Sequence, residues 1–232
     1  MTVDLSTTLV VAAVSVGSLH SLAPDHWLPI AAVGRAQGWS TSRTARIAAL
    51  CGVGHVTVSL LLGLLGLLGG LTVAHGVGAR SAQVSAILLI GFGTTYAAWG
   101  LRGALRRRLH DQAHARGHVH DHDHAHDAHH HRHHHAADPS RTTVWTLFLV
   151  YCADPCVAVI PILFAAAPLP RLATGGVVVA YEAATIGTMV ILAAVARAGA
   201  GALRGAWIDR WVHSAAGASI VVTGVAVAVL GW

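Results

Sequence analysis

Residues 5–33 read LSTTLVVAAVSVGSLHSLAPDHWLPIAAV. The stretch stays apolar for longer than the roughly 20 residues that cross a bilayer as a helix. It nevertheless contains His20, Asp25 and His26, together with Pro24 and Pro29. An ideal helix would set His20 and Asp25 about 140° apart at 3.6 residues per turn. Pro24 has no N–H for the carbonyl of His20, Pro29 has none for that of Asp25, and either ring kinks or breaks a helix. The spacing therefore predicts a broken span that turns the three side chains and the freed carbonyls toward one cavity. Irregular backbone at such depth is tolerated only where it is buried or lines a wet cavity.

Working outward, five further stretches are long and apolar enough to span, near 44–73, 82–101, 142–168, 172–196 and 211–232. They are rich in Ala, Leu and Gly and lack the alternation of an outer-membrane barrel. The expected fold is an all-α polytopic membrane protein with six transmembrane helices. Residues 1–101 hold helices one to three, 102–141 a His-rich cytosolic loop, and 142–232 helices four to six. The segment Met1-Thr2-Val3-Asp4 has no basic residue, and the apolar run outlasts a signal-peptide core, so the first stretch is read as a span.

Composition agrees. Only 11% of the 232 residues are charged and 54% are hydrophobic, against about 25% charged in soluble domains. Twelve of the 25 charged residues fall within 102–141. The remainder is too sparsely charged to solvate a globule, which argues against a soluble enzyme. Arginine sets the expected orientation: the first, third and fifth connections carry thirteen, the second and fourth only Arg80 and Arg171. Positive charge favours the cytosol, so both termini are expected outside an inner membrane and the loop inside. The net charge of +5 is then anchoring charge, and no nucleic-acid partner is implied.

Three helices before the loop and three after it would make two inverted three-helix repeats, an arrangement that recurs in transporters with broken helices at the midplane. Asp154-Pro155-Cys156 in the fourth stretch echoes Pro24-Asp25-His26 in the first. There Pro155 deprives the carbonyl of Tyr151, and Pro161 that of Val157, so helix four is also expected to break. Gly63, Gly66 and Gly69 in the second stretch, and Gly176, Ala180, Ala183, Ala184 and Gly187 in the fifth, form small-residue stripes suited to close helix packing.

Ionisable groups inside a membrane are costly, by roughly 2.5–3.5 kcal/mol each, and mark function. Here they are His20, Asp25, His26, His55, Asp154 and Glu182, with Cys156 beside Asp154. At about 1.5 Å per residue, they lie from about 12 Å (His26) to about 21 Å (His20 and Glu182) from the cytosolic ends. One buried polar site is the economical reading. Imidazole, carboxylate and thiolate together suit Ni²⁺, Co²⁺ or Zn²⁺. The blander alternatives are a satisfied core histidine at His55, a hydrogen-bonded Asp154, and cysteines that only fill space.

His20-Ser-Leu-Ala-Pro-Asp25-His26 resembles the H-x4-D-H signature of the nickel/cobalt transporter superfamily, and Gly54-His55-Val56-Thr57-Val58-Ser59 resembles its second motif. The loop resembles that of the six-helix efflux branch, and Asp154-Pro155-Cys156 is similar to a Pro-Cys segment there. The resemblance implies efflux of Ni²⁺ or Co²⁺ from the cytosol through a midplane His/Asp site, with the ion as cargo and no prosthetic group.

The loop contributes His110, His114, His118, His120, His122, His124, His126, His129, His130, His131, His133, His134 and His135. It is too polar and biased to pack a core. Neutral imidazoles bind metal and release it on protonation near pH 6.5, so cytosolic metal capture is expected. The partners implied are a divalent ion and the lipid bilayer; a homo-oligomer and a metallochaperone are both compatible. Uptake through the same site, an intramembrane sensor and a metalloenzyme are the competing readings. No H-E-x-x-H motif is present, which weighs against the enzyme.

Overall fold

The computed structural model describes residues 5–69, 71–115, 139–154, 156, 158–200 and 206–230. Among them the chain forms eight helices and no strand: α1 (Leu5–Ser21), α2 (Pro24–Ala36), α3 (Thr41–Gly69), α4 (Leu71–Ala115), α5 (Pro139–Cys152), α6 (Val159–Ala166), α7 (Arg171–Ala200) and α8 (Ala206–Leu230). Four stretches are long and apolar enough to cross a membrane: Thr41–Gly69, Gln83–Arg106, Arg171–Ala200 and Trp211–Leu230. The pair α1 and α2, bent by 50° at its break, makes a fifth if counted as one span. The fourth expected stretch is divided, 14 residues in α5 and 8 in α6, and neither piece alone reaches membrane length.

The helix α3 departs from the pattern that water imposes. Its buried face holds Thr44, His55 and Ser59 beside Ile47, Cys51 and Val56, while its outer face shows Leu50, Val53, Leu61, Leu65 and Leu68, the last 85% exposed. A soluble helix buries its apolar stripe and exposes its polar one. Leucine outward and histidine inward is an arrangement for lipid, and the fold is compatible with a multi-pass membrane protein.

Packing interleaves the two halves of the chain. The bent pair α1–α2 lies on α7, α5 and α6 lie on α3, and α4 makes its most extensive contact with α8. Glycine permits the α4–α8 approach. A Cβ on Gly93 would meet the carbonyl oxygen of Gly217 at 2.8 Å, one on Gly100 would meet the Ser214 nitrogen at 2.7 Å, and one on Gly217 would collide with the Ala97 backbone. Two residues of each helix seven positions apart, Gly93 and Gly100 against Gly217 and Gly224, thus form a seam. In the stripes expected from sequence, Gly63 does face Leu163. An added Cβ on Gly176 or Gly187 would meet nothing within 4 Å, whereas Ala184 of the same stripe faces Gly17 of α1, so only part of the α7 stripe packs. Side-chain spacing alone could not tell which face of α7 has a neighbour.

Two further expectations are refined. Residues 102–115 continue α4 instead of opening the loop; Leu, Ala, Arg and Gln there are good helix formers. Pro161 is the third residue of α6, a first-turn position where no intrahelical N–H is needed, so the break lies before it. Pro155 lies outside the described residues, as do all the loop histidines from His118 to His135; of His110 and His114 only the helical backbone is described.

Several arginines lie against tryptophans near helix ends. Arg197 donates through Nε to the carbonyl of Trp39 at 2.9 Å, in the α2–α3 turn where Gly38 takes φ +67°. Arg43 lies 5.2 Å from the Trp39 ring centroid, and Arg108 lies 5.2 Å from that of Trp211. One apolar cluster includes Trp39, Ile47, Leu147 and Met189 and extends along α8 to Val227. A second includes Val177, Ile162, Leu163 and Ala166, together with Cys156 and Tyr181.

Candidate metal centre

The break between α1 and α2 is built from satisfied carbonyls. The His20 oxygen accepts from the Ala23 N–H at 3.2 Å, and the Ala23 oxygen from the His26 N–H at 3.2 Å. The Leu22 oxygen accepts the Trp27 indole N–H at 3.1 Å. The Asp25 oxygen, deprived by Pro29, lies 3.0 Å from the hydroxyl of Tyr151, which also reaches the His26 oxygen at 3.0 Å. The Tyr151 oxygen lies 3.3 Å from His55 Nδ1. The freed carbonyls were expected to face the cavity. That of His20 instead closes the turn to Ala23, and those of Asp25 and Tyr151 hold the first half of the chain to the second, because an unmet backbone group in an apolar interior is costly.

That bookkeeping leaves the imidazoles pointed. His55 Nδ1 faces a carbonyl, which only accepts, so Nδ1 carries the proton and Nε2 the lone pair. His26 Nδ1 lies 2.8 Å from Asp25 Oδ1, which fixes its tautomer in the same sense. The Nε2 atoms of His20, His26 and His55 are all buried with no hydrogen-bond partner among the described residues. The His26 ring stands edge-on to both others, its centroid 4.3 Å from His20 and 5.2 Å from His55. Buried polar nitrogens are nearly always paired, and three orphans side by side call for a ligand.

A thiol completes the group. Donor atoms of His20, His55 and Cys156 all lie within 4.8 Å of one another. Ligands of a tetrahedral ion held at 2.0–2.3 Å stand about 3.3–3.8 Å apart, so about 1 Å of closure suffices. Cys156 sits in the second break, where its N–H donates to Ser59 Oγ at 2.8 Å and Ser59 donates to the His55 oxygen at 2.7 Å. Its Sγ is 2.9 Å from the Tyr181 hydroxyl, a donor suited to a thiolate. Gly54 makes this possible: a Cβ there would stand 2.6 Å from Cys152 Sγ and 2.7 Å from Phe148, driving α5 off His55.

The structure thus brings together His20, His26, His55 and Cys156. Asp25 Oδ1 bonds His26, and neither residue is one of the three converging donors. A carboxylate behind a ligating histidine orients the ring and raises its basicity. Asp25→Ala is expected to weaken metal binding by about 10–100-fold while leaving a bound ion's ligand set unchanged; competition titration with Co²⁺ measures the first and cobalt absorption spectra the second. Asp154 receives a hydrogen bond from Ser85 of α4 and is likewise outside the converging group. Glu182 follows the buried Tyr181 on α7, is only half-buried, and is not part of the group. Sequence reasoning did not single out the side chains of Tyr151, Tyr181 and Ser85. A tyrosine within an apolar helix is the signal for the first two, since a phenol at that depth needs a partner.

No protein-family model, curated protein or solved structure matches this chain.

Proposed function

We propose that this protein is a membrane permease for a divalent transition-metal ion, Ni²⁺ or Co²⁺ with Zn²⁺ also accommodated, and that it moves the ion out of the cytosol. One observation carries the reading: two unpartnered imidazole nitrogens and a thiol converge near the broken segments of an apolar bundle, with the unpartnered imidazole of His26 beside them. An ion passing through a membrane needs ligands that replace its water, and the buried imidazoles and thiol are of that kind. The His20, His55 and Cys156 donors come from both halves of the chain, so relative motion of the halves opens or closes the ligand set. The six-span, two-repeat reading is supported by the interleaved packing of the halves and by a break in the first segment of each.

The arginine-rich end is read as cytosolic, which places the histidine loop where it captures metal before the midplane site. Inner-membrane location and external termini follow from the same rule. Removal of residues 118–135 leaves α4 intact and is expected to lower flux roughly tenfold at limiting metal and little at saturation, the signature of lost local concentration.

Reconstitution in sealed vesicles with a metal-sensitive dye inside tests the proposal. Metal flux down an imposed gradient, with Ca²⁺ and Mg²⁺ excluded, is the expected result. A chain that binds metal but passes none under either gradient overturns it in favour of a sensor. The sign of net flux in cells, read as total nickel and cobalt content, tests export against uptake.

A further inference from the structure

We propose that the groove between α3 and α5 at the arginine-rich end binds one anionic phospholipid of that leaflet. The cavity measures about 390 Å³ and is lined by Arg43, Arg46, Ile47 and Leu50 of α3 and by Arg141, Val144 and Trp145 of α5. The α3 residues follow an i, i+3, i+4, i+7 pattern, and the α5 residues i, i+3, i+4, so each helix presents a single stripe to the groove.

Both stripes are graded in the same direction. Each begins with arginine near its helix start and becomes apolar further in, where Leu50 is 44% and Trp145 56% exposed. From Arg43 to Leu50 is a rise of about 10 Å, the depth over which a phospholipid changes from phosphate to acyl chain. The Arg43 guanidinium is held against the Trp39 ring, so one of the three charges is positioned in advance. A free phosphate ion would use the arginines and leave the apolar floor bare, whereas a lipid uses both. Basic clefts between transmembrane helices on the cytosolic side have the chemistry for such headgroups. The metal site plays no part in this inference.

The test uses the full chain in phosphatidylcholine nanodiscs titrated with phosphatidylglycerol brominated near the top of its acyl chains. The signal is quenching of Trp145 emission, obtained by subtracting the Trp145→Phe variant. Saturable quenching at a few mole per cent is expected, with brominated phosphatidylcholine ineffective at the same fraction. Each juxtamembrane arginine is worth roughly a fivefold change in binding, so the triple variant Arg43→Gln, Arg46→Gln, Arg141→Gln should bind on the order of 100-fold more weakly. Removing the same charge elsewhere at that end, with Arg102→Gln, Arg106→Gln and Arg108→Gln, should weaken binding by about tenfold or less. Equal losses in the two triple variants would overturn the proposal in favour of diffuse surface attraction. Displacement of the lipid by millimolar inorganic phosphate would overturn it in favour of a phosphate site.

Discussion

Metal flux through reconstituted His55→Ala protein is expected to fall by at least about 100-fold, beyond the loss seen when only a group behind a ligand is removed. His55 is 1% exposed, and its Nδ1 is committed to the Tyr151 carbonyl at 3.3 Å. Its Nε2 has no partner among the described residues and lies with those of His20 and His26. Alanine removes the donor on the α3 side of the group and leaves His20 and Cys156 without a common ion. The fold should survive, because the remaining α3–α5 contacts, including the seat of Phe148 and Cys152 against Gly54, are untouched. Metal-free thermal stability should fall by about 2–4 kcal/mol, the cost of one long hydrogen bond and of the cavity left by a fully buried imidazole. A histidine that merely filled the core would show a similar loss of stability with flux retained in the folded protein.

The second large effect concerns stability. Gly217→Ala is expected to destabilise the protein by about 2–3 kcal/mol or to prevent its accumulation, since the added methyl collides with the Ala97 backbone and neither helix can shift without opening the seam. Gly176→Ala should act in the opposite sense. Nothing lies within 4 Å of its Cβ direction, and exchanging glycine for alanine in a helix gains about 0.5–1 kcal/mol. Thermal unfolding in detergent, with both variants measured beside the parent, checks the sign of each. Two like effects would mean that α4 and α8 do not meet through Gly217.

These two cases show where the sequence speaks and where it is silent. The apolar stretches, the break at Pro24 and the gathering of His20, His26 and His55 were legible because a membrane interior makes every ionisable group and proline stand out. Gly176 and Gly217 look alike in the sequence. They differ in having a neighbour, which depends on how helices pair across more than a hundred residues. The same holds for Asp25, which reads as a ligand from its type and depth. Only the 2.8 Å contact with His26 Nδ1 shows that its oxygen is already engaged. Tyr151 ties the two halves together through both its carbonyl and its hydroxyl, a role that requires knowing which helices touch.

The central claim is that the ion is held by imidazole and thiol at the breaks. Cobalt K-edge absorption on the full-length protein tests it most directly, taken as the difference between the parent and the His20→Ala, His55→Ala, Cys156→Ser variant so that loop-bound metal cancels. The account predicts a difference spectrum with at least two imidazole nitrogens and one sulfur at about 2.3 Å in low-coordinate geometry. A difference spectrum of six light-atom ligands without sulfur, or no difference at all, would contradict it.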